Sequence, residues 1–463
     1  MTLIKSISGI RGTIGGKVSE NLTPIDIVKY AAAFGEWLKS KSNTQENLKI
    51  VIGRDARLSG QMLSQLVCAT LQSLGFDVVD LGLATTPTVE IAVPLENALG
   101  GIILTASHNP IQWNALKLLN EKGEFISGKD GEELLQIAEK EDFNFVDVKK
   151  LGKYIQNDDY LKKHIEMILA LPLVDVEAIK SKNFKIAVDA VNSVGGVAVP
   201  ALLRALGVSQ ITEFNCEPTG NFAHNPEPLP ENLIQFCKDV GKGHFDLGIV
   251  VDPDVDRLAL ICENGEPFGE EYTLVAVADY VLKTQKGNTV SNLSSTQALK
   301  VVTEKHGQSY FSSAVGEVNV VATMKISKSV IGGEGNGGII YPDLHYGRDA
   351  LVGIALFLSH LAQSGKSASL LRSTYPNFYI SKNKIELSQG INVDDILEKM
   401  QRKYSKFNTN IIDGLKVTFD NAWVHLRKSN TEPIIRIYAE ADSISTADNL
   451  AEKVMADIRE FSK

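Results

Sequence analysis

The sequence lacks the long apolar runs and the basic blocks that define two classes of protein. In its 463 residues no run approaches the ~18 apolar residues that a membrane span needs, and residues 2–16 contain no apolar stretch typical of a secretory signal. Lysine and arginine number 47 against 56 aspartates and glutamates, so the net charge is −9. This balance argues against binding to nucleic acid by phosphate neutralisation. We therefore expect no membrane and no nucleic-acid partner.

Cysteines are also few, and none forms a CxxC pair. The four of them are far apart in the chain: Cys68, Cys216, Cys237 and Cys262. Their spacing argues against a disulfide scaffold or a thiolate zinc site, and it predicts a cytoplasmic protein. Hydrophobic residues make up 44% and charged residues 22%, which is typical of a soluble, core-forming chain. At ~150 residues per domain, the length predicts three or four domains.

A weak internal repeat organises most of the chain. Residues 49–82 and 185–214 each begin with a short apolar run, pass through a polar turn containing glycine, and continue with helical spacing. In both, Leu-Gly ends the helix and a second apolar run follows, and a fainter copy spans 289–316. This order predicts strand, helix and strand in each copy. We therefore expect three related α/β domains with mixed or parallel sheets.

The last ninety residues have a different pattern. Alternation predicts strands, and helical spacing predicts two helices. The strands are expected at 377–387, 414–419, 423–426 and 434–439, and the helices at 393–404 and 446–461. These elements indicate a smaller C-terminal α+β domain with antiparallel strands. The predicted domain limits are 1–150, 151–255, 256–372 and 373–463.

The first motif whose residue types suit catalysis is TASHNP at 105–110, directly after the apolar run 101–104. It places a hydroxyl at the C-terminal end of a strand, where open α/β sheets bind ligands. The Asn-Pro pair favours a turn, so Ser107 is expected on an exposed loop. Lys117 follows closely enough for its segment to fold back beside the loop. The simpler alternative is that Ser107 or Asn109 only caps a helix.

The second motif, DPDVDR at 252–257, follows the apolar run 247–251. Its three carboxylates at alternate positions share one side of an extended segment. Pro253 disfavours a regular central strand, so the segment can curl until the carboxylates converge on one cation. Oxygen ligands of this kind suit Mg²⁺ or Mn²⁺. The residues concerned are Asp252, Asp254 and Asp256, and the alternative is a solvated acidic turn.

The third motif is GGEGNGG at 332–338, in which five glycines permit close approach of the backbone. It lacks the Lys-Ser/Thr of a P-loop and the order of a dinucleotide fingerprint. The placement of Glu334 and Asn336 two residues apart favours recognition of hydroxyls on a sugar-like ligand. A plain flexible loop is the alternative.

The fourth motif, RKSNTEP at 427–433, joins two predicted strands, and Arg436 lies beyond it. A guanidinium, two hydroxyls and an amide on a turn are suited to a phosphate dianion, although a solvated hairpin loop has the same composition. Near the N-terminus, SGIRGT at 8–13 adds Arg11 on a segment rich in glycine. The remaining notable histidines show no metal-ligand spacing and are interpreted as structural or surface residues: His224, His306 and His345.

Taken in this order, the four motifs resemble signatures of the α-D-phosphohexomutase superfamily, and the resemblance covers essentially the whole chain. It implies four domains around one central cleft, three of them related α/β units. It also implies transfer of phosphate between C6 and C1 of a hexose or hexosamine, through a phosphoserine enzyme and a bisphosphorylated sugar.

The resemblance assigns roles to the residues that match. The catalytic set is Ser107 as carrier of the phosphate, His108 as its support, Lys117 for proton transfer, and Arg11 and Arg257 on the phosphoryl group. The metal set is Asp252, Asp254 and Asp256 with an oxygen of the phosphorylated Ser107. The substrate set is Glu334 and Asn336 for sugar hydroxyls, and Arg427, Ser429, Asn430 and Thr431 for the non-reacting phosphate.

Departures from the family pattern bear on the substrate. Ala115 replaces a usual glycine in 114–117, and Gly338 stands where glucose and mannose mutases often carry histidine. Residues 312–320 lack a basic residue often found there. The loop 333–338 is most similar to those of phosphoglucosamine mutases and dual-specificity relatives. Glucosamine phosphates are therefore the expected substrates, with glucose and mannose phosphates as the alternative.

The resemblance further implies one Mg²⁺ per active site, a glucose or hexosamine 1,6-bisphosphate as activator, sugar phosphates as the small-molecule partners, and a monomer or homodimer. Two other classes stay open, a metal-dependent sugar phosphatase and a silent sugar-phosphate sensor. A phosphatase of that kind has no need of a phosphorylated serine, and a sensor has no need of Ser107, Lys117 and all three aspartates. A nucleotide-dependent enzyme is the weakest alternative, because no P-loop or dinucleotide fingerprint occurs.

Overall fold

The computed structural model of the protein describes residues 2–6, 9–42, 48–386, 392–428 and 434–461. The chain divides into two compact units. The first comprises Met1–Thr273 with Gly337–Leu370, and the second comprises Leu274–Asn336 with Leu371–Lys463. The three predicted α/β domains and the smaller C-terminal domain are confirmed.

The first sheet of the first unit is mixed, with the strand order β1-β2-β6-β5-β3-β4-β7. Its strands are β1 Ile4–Ser6, β2 Gly9–Thr13, β3 Lys49–Arg54, β4 Asp77–Leu83, β5 Gly100–Leu104, β6 Trp113–Leu119 and β7 Tyr154–Gln156. Its helices are α1 Pro24–Lys41, α2 Gly60–Ser73, α3 Thr86–Leu95 and α4 Gly128–Lys140, and Val148–Lys150 is a 3₁₀ turn. Strand β3 is apolar on both faces because helices cover both. Ile50 and Ile52 lie in the core with Phe34 of α1, while Val51 packs with Val89 of α3 on the opposite face.

The second sheet of this unit has the order β11-β10-β8-β9 and is parallel except for β11. Its strands are β8 Lys185–Asp189, β9 Gln210–Phe214, β10 Leu247–Val251 and β11 Leu258–Cys262. The helices around it are α5 Tyr160–Leu169, α6 Val176–Lys182, α7 Gly195–Ala205 and α8 Ile234–Gly243, with a 3₁₀ turn at Pro230–Asn232. The predicted limit at 255 falls between β10 and β11, which are paired strands of one sheet. The four domain limits stay a prediction.

The third sheet has the strand order β13-β12-β14-β15. Its strands and the helices near them in the chain are α9 Glu270–Thr284, β12 Asn288–Asn292, α10 Ala298–Lys305, β13 Tyr310–Ser313, α11 Glu317–Ser327, β14 Ser329–Glu334, β15 Gly338–Ile340, α12 Ala350–Ser364 and α13 Ala368–Arg372. Strand β12 pairs in parallel with β13 on one side and with β14 on the other.

The C-terminal domain is an antiparallel sheet with two helices against it. Its bounds are β16 Tyr379–Glu386, α14 Val393–Lys403, β17 Asn408–Asn410, β18 Leu415–Thr418, β19 Trp423–Lys428, β20 Ile434–Ala441 and α15 Ile444–Phe461. The strand order is β16-β20-β19-β18-β17. Ile396 of α14 and Val454 of α15 are buried against sheet residues such as Ile437. The predicted antiparallel pairing is confirmed for the strands expected at 414–419 and 423–426, because β18 and β19 pair with Leu415 opposite Leu426.

The internal repeat corresponds to three strand–helix–strand units: β3-α2-β4, β8-α7-β9 and β12-α10-β13. In the first two, the glycine of Leu-Gly is the reason that the helix ends. Gly75 has φ +90° and Gly207 has φ +84°, a left-handed backbone that glycine adopts without a Cβ clash.

All four cysteines are free thiols. Among the residues that the structure describes, no helix combines the length and the hydropathy required to cross a bilayer.

Candidate active site

The TASHNP motif forms a tight turn at the end of β5. Ser107 has φ +47°, a left-handed conformation that is uncommon for residues other than glycine. Its N–H donates to the hydroxyl of Thr105 at 2.9 Å, which fixes the turn. The expected exposure is wrong, since the Ser107 side chain is buried. It is buried because a second polar loop covers it.

A fully buried arginine that the sequence interpretation missed holds this turn in place. All five N–H donors of Arg57 are used: Nε donates to Asp55, and the two terminal nitrogens donate to four backbone carbonyls. These carbonyls belong to Ser107 (2.5 Å), Asn109 (2.6 Å), Pro110 (2.8 Å) and Trp113 (2.9 Å). Asp55 also accepts from the Thr105 hydroxyl at 2.6 Å. The signal available in the sequence was RDAR at 54–57, which begins at the last residue of strand β3.

The DPDVDR motif forms the covering loop, between β10 and β11. The backbone N–H groups of Asp256 and Arg257 both donate to Asp252 Oδ1 at 3.2 Å, which curls the segment back on itself. Val255 at the bend has φ +64°, a strained conformation for a buried β-branched residue. The carboxylates of Asp252, Asp254 and Asp256 converge as expected, with one ligand atom of each within 4.8 Å of the others.

The serine, the lysine and the aspartates are brought together in the first unit. The Ser107 hydroxyl donates to Asp252 Oδ2 at 2.8 Å. Lys117 reaches the loop from β6, and its Nζ donates to Asp254 Oδ2 at 2.6 Å and to Asp256 Oδ2 at 3.2 Å. Strand β6 lies antiparallel beside β5, so the chain after the serine folds back as predicted. The arrangement joins a hydroxyl, an ammonium group and three buried carboxylates.

Three further side chains in this site were not predicted. Thr86 donates its hydroxyl to Asp254 Oδ2 at 2.6 Å, and Arg348 donates to Asp256 Oδ2 at 2.7 Å. Glu227 accepts from Arg257 at 3.1 Å, and its carboxylate lies 3.8 Å from His108 Nε2. These residues come from distant parts of the sequence and lie in no motif that indicated them.

The aspartates differ in electrostatic environment. Burial, followed by repulsion from Asp256 and Asp254, raises the pKa of Asp252 well above its usual value. Burial also acts on Asp256, but Arg348 and Lys117 outweigh it and lower the pKa of that carboxyl. The site therefore separates a carboxyl that resists ionisation from one that is held as an anion.

The two basic side chains also respond to burial. For Lys117, burial opposes the charged form, but Asp254 and Asp256 overcome this effect and raise the pKa of the ammonium group. For His108, burial and the nearby Arg257 lower the pKa of the imidazole well below its ordinary value. The Nδ1 atom of His108 lies 3.3 Å from the Ser107 hydroxyl.

The carboxylates fit a divalent cation. Within the described part of the chain, Asp254 Oδ1 and Asp256 Oδ1 are buried and have no hydrogen-bond partner. A buried carboxylate oxygen without a donor is destabilising, and a hard cation such as Mg²⁺ is a suitable partner for it. The donor set contains oxygen atoms alone, which matches the preference of that ion.

The remaining predicted residues have varied positions. Arg11 lies in β2 opposite Ala115 of β6, so it is on the same sheet face as Lys117. In the second unit, Glu334 is buried, and its Oε1 accepts from Asn292 at 2.8 Å and from the Gly316 N–H at 3.0 Å.

Asn336 lies two residues past the end of β14 and is half-buried. Arg427, in β19, donates through Nε to Asp413 Oδ2 at 2.8 Å, and the same oxygen accepts from the Val315 N–H. The other predicted phosphate ligands lie outside the described residues: Ser429, Asn430 and Thr431.

Comparison with known proteins connects this geometry to a family. Four domain descriptions match successive segments: Phosphoglucomutase/phosphomannomutase, alpha/beta/alpha domain I at 3–145, domain II at 159–265 and domain III at 269–378, and its C-terminal domain at 384–457. The fold and these matches define an intramolecular phosphotransferase, a mutase that acts on hexose phosphates. The chain belongs to the α-D-phosphohexomutase superfamily.

Individual relatives have different named substrates. A phosphoglucomutase/phosphomannomutase of Thermococcus kodakarensis is 36% identical over 95% of this chain and 96% of its own. A phosphoglucosamine/phosphogalactosamine mutase of Sulfurisphaera tokodaii is 32% identical over 96% of this chain and 97% of its own. A crystal structure of a phosphoglucomutase/phosphomannomutase family protein from Burkholderia thailandensis has a TM-score of 0.84 at 26% identity, covering 99% of this chain and 98% of that one. The reaction class is therefore shared, while the sugar differs among relatives.

Proposed function

We propose that this mutase interconverts glucosamine 6-phosphate and glucosamine 1-phosphate through a phosphorylated Ser107 and a bisphosphorylated sugar. The observation that carries the proposal is the Ser107 hydroxyl, held 2.8 Å from Asp252 inside a buried cluster of carboxylates. A sugar phosphatase or a silent sensor has no need for a serine so placed. Mutases for glucose and mannose phosphates are the alternative, favoured by the name of the Thermococcus relative.

The proposed reaction exchanges one P–O bond for another. A sugar hydroxyl attacks the phosphorus on Ser107, the bond from phosphorus to the serine oxygen breaks, and the proton of the hydroxyl ends on that oxygen. Lys117 is the proposed proton carrier, because its ammonium group contacts Asp254 and Asp256, in the same three-aspartate loop whose Asp252 accepts from Ser107. The second half runs in reverse from the other phosphate of the bisphosphorylated sugar. A glucose or hexosamine 1,6-bisphosphate activates the enzyme by phosphorylating Ser107.

Charge is the main requirement of this chemistry. A phosphoserine adds about −1.5 to −2 charges, and three aspartates already lie beside it. Asp252, Asp254 and Asp256, together with an oxygen of the phosphorylated Ser107, would hold Mg²⁺, which would supply neutralising charge. Arg257, fixed by Glu227, and Arg11 are proposed to contact the phosphoryl group, and His108 to support the serine.

Residues of the second unit are proposed to bind the hydroxyls and the non-reacting phosphate of the substrate. Glu334, anchored through one oxygen, accepts hydrogen bonds from sugar hydroxyls, and Asn336 both donates and accepts. Arg427, oriented by Asp413, is the proposed donor to the non-reacting phosphate, together with Ser429, Asn430 and Thr431. The preference for glucosamine rests on Gly338 in place of a histidine and on the name of the Sulfurisphaera relative.

The central test is the variant Ser107→Ala. We expect mutase turnover to fall by at least about a thousandfold with an unchanged circular dichroism spectrum, because no oxygen remains to carry the phosphate. Intact mass after incubation with glucose 1,6-bisphosphate should rise by one phosphate in the wild type and not in the variant. Near-normal turnover in the folded variant would remove Ser107 from the mechanism.

The metal is tested by chelation and by Asp254→Asn. A chelator should abolish turnover and Mg²⁺ should restore it, while the variant should need a higher Mg²⁺ concentration because one anionic ligand is neutral. Asp130→Asn, a change at the N-terminus of α4, provides the control and should leave the Mg²⁺ dependence as it is. Full activity of the wild type in excess chelator would contradict a catalytic cation.

Substrate choice is tested by kcat/KM for the 1-phosphates of glucosamine, glucose and mannose under one condition. We expect glucosamine 1-phosphate to be preferred. A tenfold or greater preference for a neutral sugar, equivalent to about 1.4 kcal/mol of transition-state binding, would overturn the choice of sugar and leave the mutase chemistry intact.

A further inference from the structure

A second cluster of metal-ligating side chains lies in the first unit and shares no residue with the aspartate loop. His164 is on α5, His345 is in the segment between β15 and α12, and Asp349 is the N-cap of α12. One ligand atom of each lies within 4.8 Å of the others. His164 and Asp349 are fully buried, and the side chain of His345 is 12% exposed. A fully buried aspartate is normally paired, and here both partners of Asp349 are histidines.

Asp349 directs one oxygen to the helix and the other to the histidines. Its Oδ1 accepts from the N–H groups of Leu351 and Val352 at 2.8 and 3.3 Å, as an N-cap does. Its Oδ2 lies 2.9 Å from His164 Nε2 and 3.3 Å from His345 Nε2. Both imidazoles therefore present the same ring nitrogen to one carboxylate oxygen.

The opposite ring nitrogens face oxygen atoms too. His164 Nδ1 is 3.0 Å from the hydroxyl of Thr88, and His345 Nδ1 is 3.4 Å from Glu90 Oε2. A neutral imidazole has a single N–H, so in His345 one lone pair must point at a carboxylate oxygen. That contact is repulsive unless the ring carries a second proton or a cation lies between the nitrogen and the oxygen.

We infer that His164 Nε2, His345 Nε2 and Asp349 Oδ2 bind a divalent transition-metal ion, with Zn²⁺ as the preferred ion. Thr88 then accepts from the Nδ1–H of His164, and Glu90 lies 3.4 Å from the Nδ1–H of His345, so each ring faces an oxygen on the side away from the metal, as in zinc sites.

Metal–ligand bonds of about 2.0–2.2 Å separate neighbouring ligand atoms by roughly 3–3.5 Å in a tetrahedron, close to the spacings of the two histidine nitrogens from Asp349 Oδ2. The partial exposure of His345 leaves access for water as a fourth ligand.

The chemistry of the donors distinguishes this site from the aspartate loop. Two imidazole nitrogens and one oxygen suit Zn²⁺, whereas three carboxylates suit Mg²⁺. The ligands come from α5, from the start of α12 and from the segment before it, so the ion is structural and joins elements distant in sequence. It is adjacent to the aspartate loop through the chain, because Arg348, the neighbour of Asp349, donates to Asp256.

The test uses the full chain, stripped with a chelator and returned to saturating Mg²⁺. Zn²⁺ titration followed by elemental analysis should give one Zn²⁺ per chain, and the melting temperature should rise with Zn²⁺ concentration, as binding to the folded state alone requires. If no Zn²⁺ is retained and the melting temperature does not rise, the two histidines and Asp349 are joined only by hydrogen bonds. The inference is then wrong.

Variants locate the ion. His345→Gln should weaken Zn²⁺ binding at least tenfold, because one nitrogen ligand is lost. His306→Gln is the matched control, since His306 also pairs with a carboxylate, that of Asp279 at 2.8 Å, but in the second unit. Asp254→Asn should likewise retain Zn²⁺. Loss of Zn²⁺ in Asp254→Asn with retention in His345→Gln would place the ion on the aspartate loop and overturn the inference.

A measurement on the unmodified chain guards against a variant that fails to fold. Ring-nitrogen NMR should show the Nε2 resonances of His164 and His345 moving when Zn²⁺ is added in excess Mg²⁺, while that of His306 stays in place. If the resonances of His164 and His345 do not move at one equivalent of bound Zn²⁺, the proposed ligands are wrong.

Discussion

Arg57 organises the serine turn through a property that no other side chain has. A guanidinium offers five N–H donors in one plane, and here all five donate to protein oxygens, of which those of Asp55 and Ser107 are buried and the other three partly buried. Lysine keeps the charge but has three donors on a single nitrogen. A substitution that conserves charge therefore leaves at least two of the five acceptors without a donor from this side chain.

For Arg57→Lys we expect the free energy of unfolding to fall by roughly 1–4 kcal/mol, since an acceptor left without a donor costs about 1–3 kcal/mol where it is buried and less where water reaches it. We also expect kcat to fall at least tenfold, because the turn that carries Ser107 is less well fixed. Urea unfolding followed by circular dichroism, together with the mutase assay, measures both effects.

The control is Arg204→Lys, a change in an exposed ion pair with Glu213 that should alter stability by less than about 1 kcal/mol. If both substitutions change the free energy of unfolding and kcat equally, the five hydrogen bonds of Arg57 do not stabilise the serine turn more than an exposed ion pair does.

At the scale of elements, two helices of the first sheet begin with the same capping box in different surroundings. In α1, Thr23 accepts from the Asp26 N–H and Asp26 accepts from the Thr23 N–H, and both side chains are buried. In α4, Ser127 and Asp130 make the same reciprocal pair at an exposed position. The box is visible in the sequence, but its burial is not.

Thr23→Ala should destabilise the protein by about 1–2 kcal/mol, toward the upper end for N-caps. The reason is that Asp26 Oδ2 loses a 2.5 Å hydrogen bond from the threonine hydroxyl in a place that water does not reach. Thermal unfolding of the full chain gives the change in stability, and hydrogen exchange of α1 shows whether the change is local to this helix.

Ser127→Ala is the matched comparison and should cost about 0.5–1 kcal/mol, because water replaces the lost hydroxyl. A larger loss for Ser127→Ala than for Thr23→Ala would contradict the role given to burial.

At the scale of the whole molecule, one buried histidine links stability to pH. His425 donates through Nε2 to the Asp413 carbonyl at 2.7 Å and accepts at Nδ1 from the Ser294 hydroxyl at 2.9 Å, so both nitrogens are satisfied in the neutral ring. Burial, with a further contribution from Lys416, lowers the pKa of His425 to about 4. Between pH 6.5 and 4 the unfolded chain therefore binds a proton at this residue that the folded chain does not bind.

The contribution of His425 to stability should therefore be fully present above pH 6.5. It should be lost as the pH decreases from 6.5 towards 4, by at most about 3.4 kcal/mol. In His425→Gln this part of the slope should disappear. Urea midpoints measured between pH 4 and 7 provide the test, with His244→Asn at an exposed position as the control. An identical slope in wild type and His425→Gln would exclude the histidine as the cause.

Much of the fold and part of the site could be predicted from the sequence. The three repeats are evident because each copy carries its own local signals, such as the glycine at the end of α2. The aspartates of DPDVDR converge as expected, because they are neighbours in one short loop. The placement of Lys117 beside them also agrees, since β6 follows β5 directly.

Only the tertiary structure decided which residues from distant segments contact one another. Ser107 and Asp252 are 145 residues apart, Arg348 and Asp256 are 92 apart, and His164 and Asp349 are 185 apart. Local sequence determines periodicity, caps and turns, because these depend on neighbouring side chains and on backbone angles. The burial of Ser107 depends on which loop folds over it, and that is decided when two sheets pack together. For the same reason, the sequence alone could not indicate that all five donors of Arg57 are satisfied or that two histidines meet at Asp349.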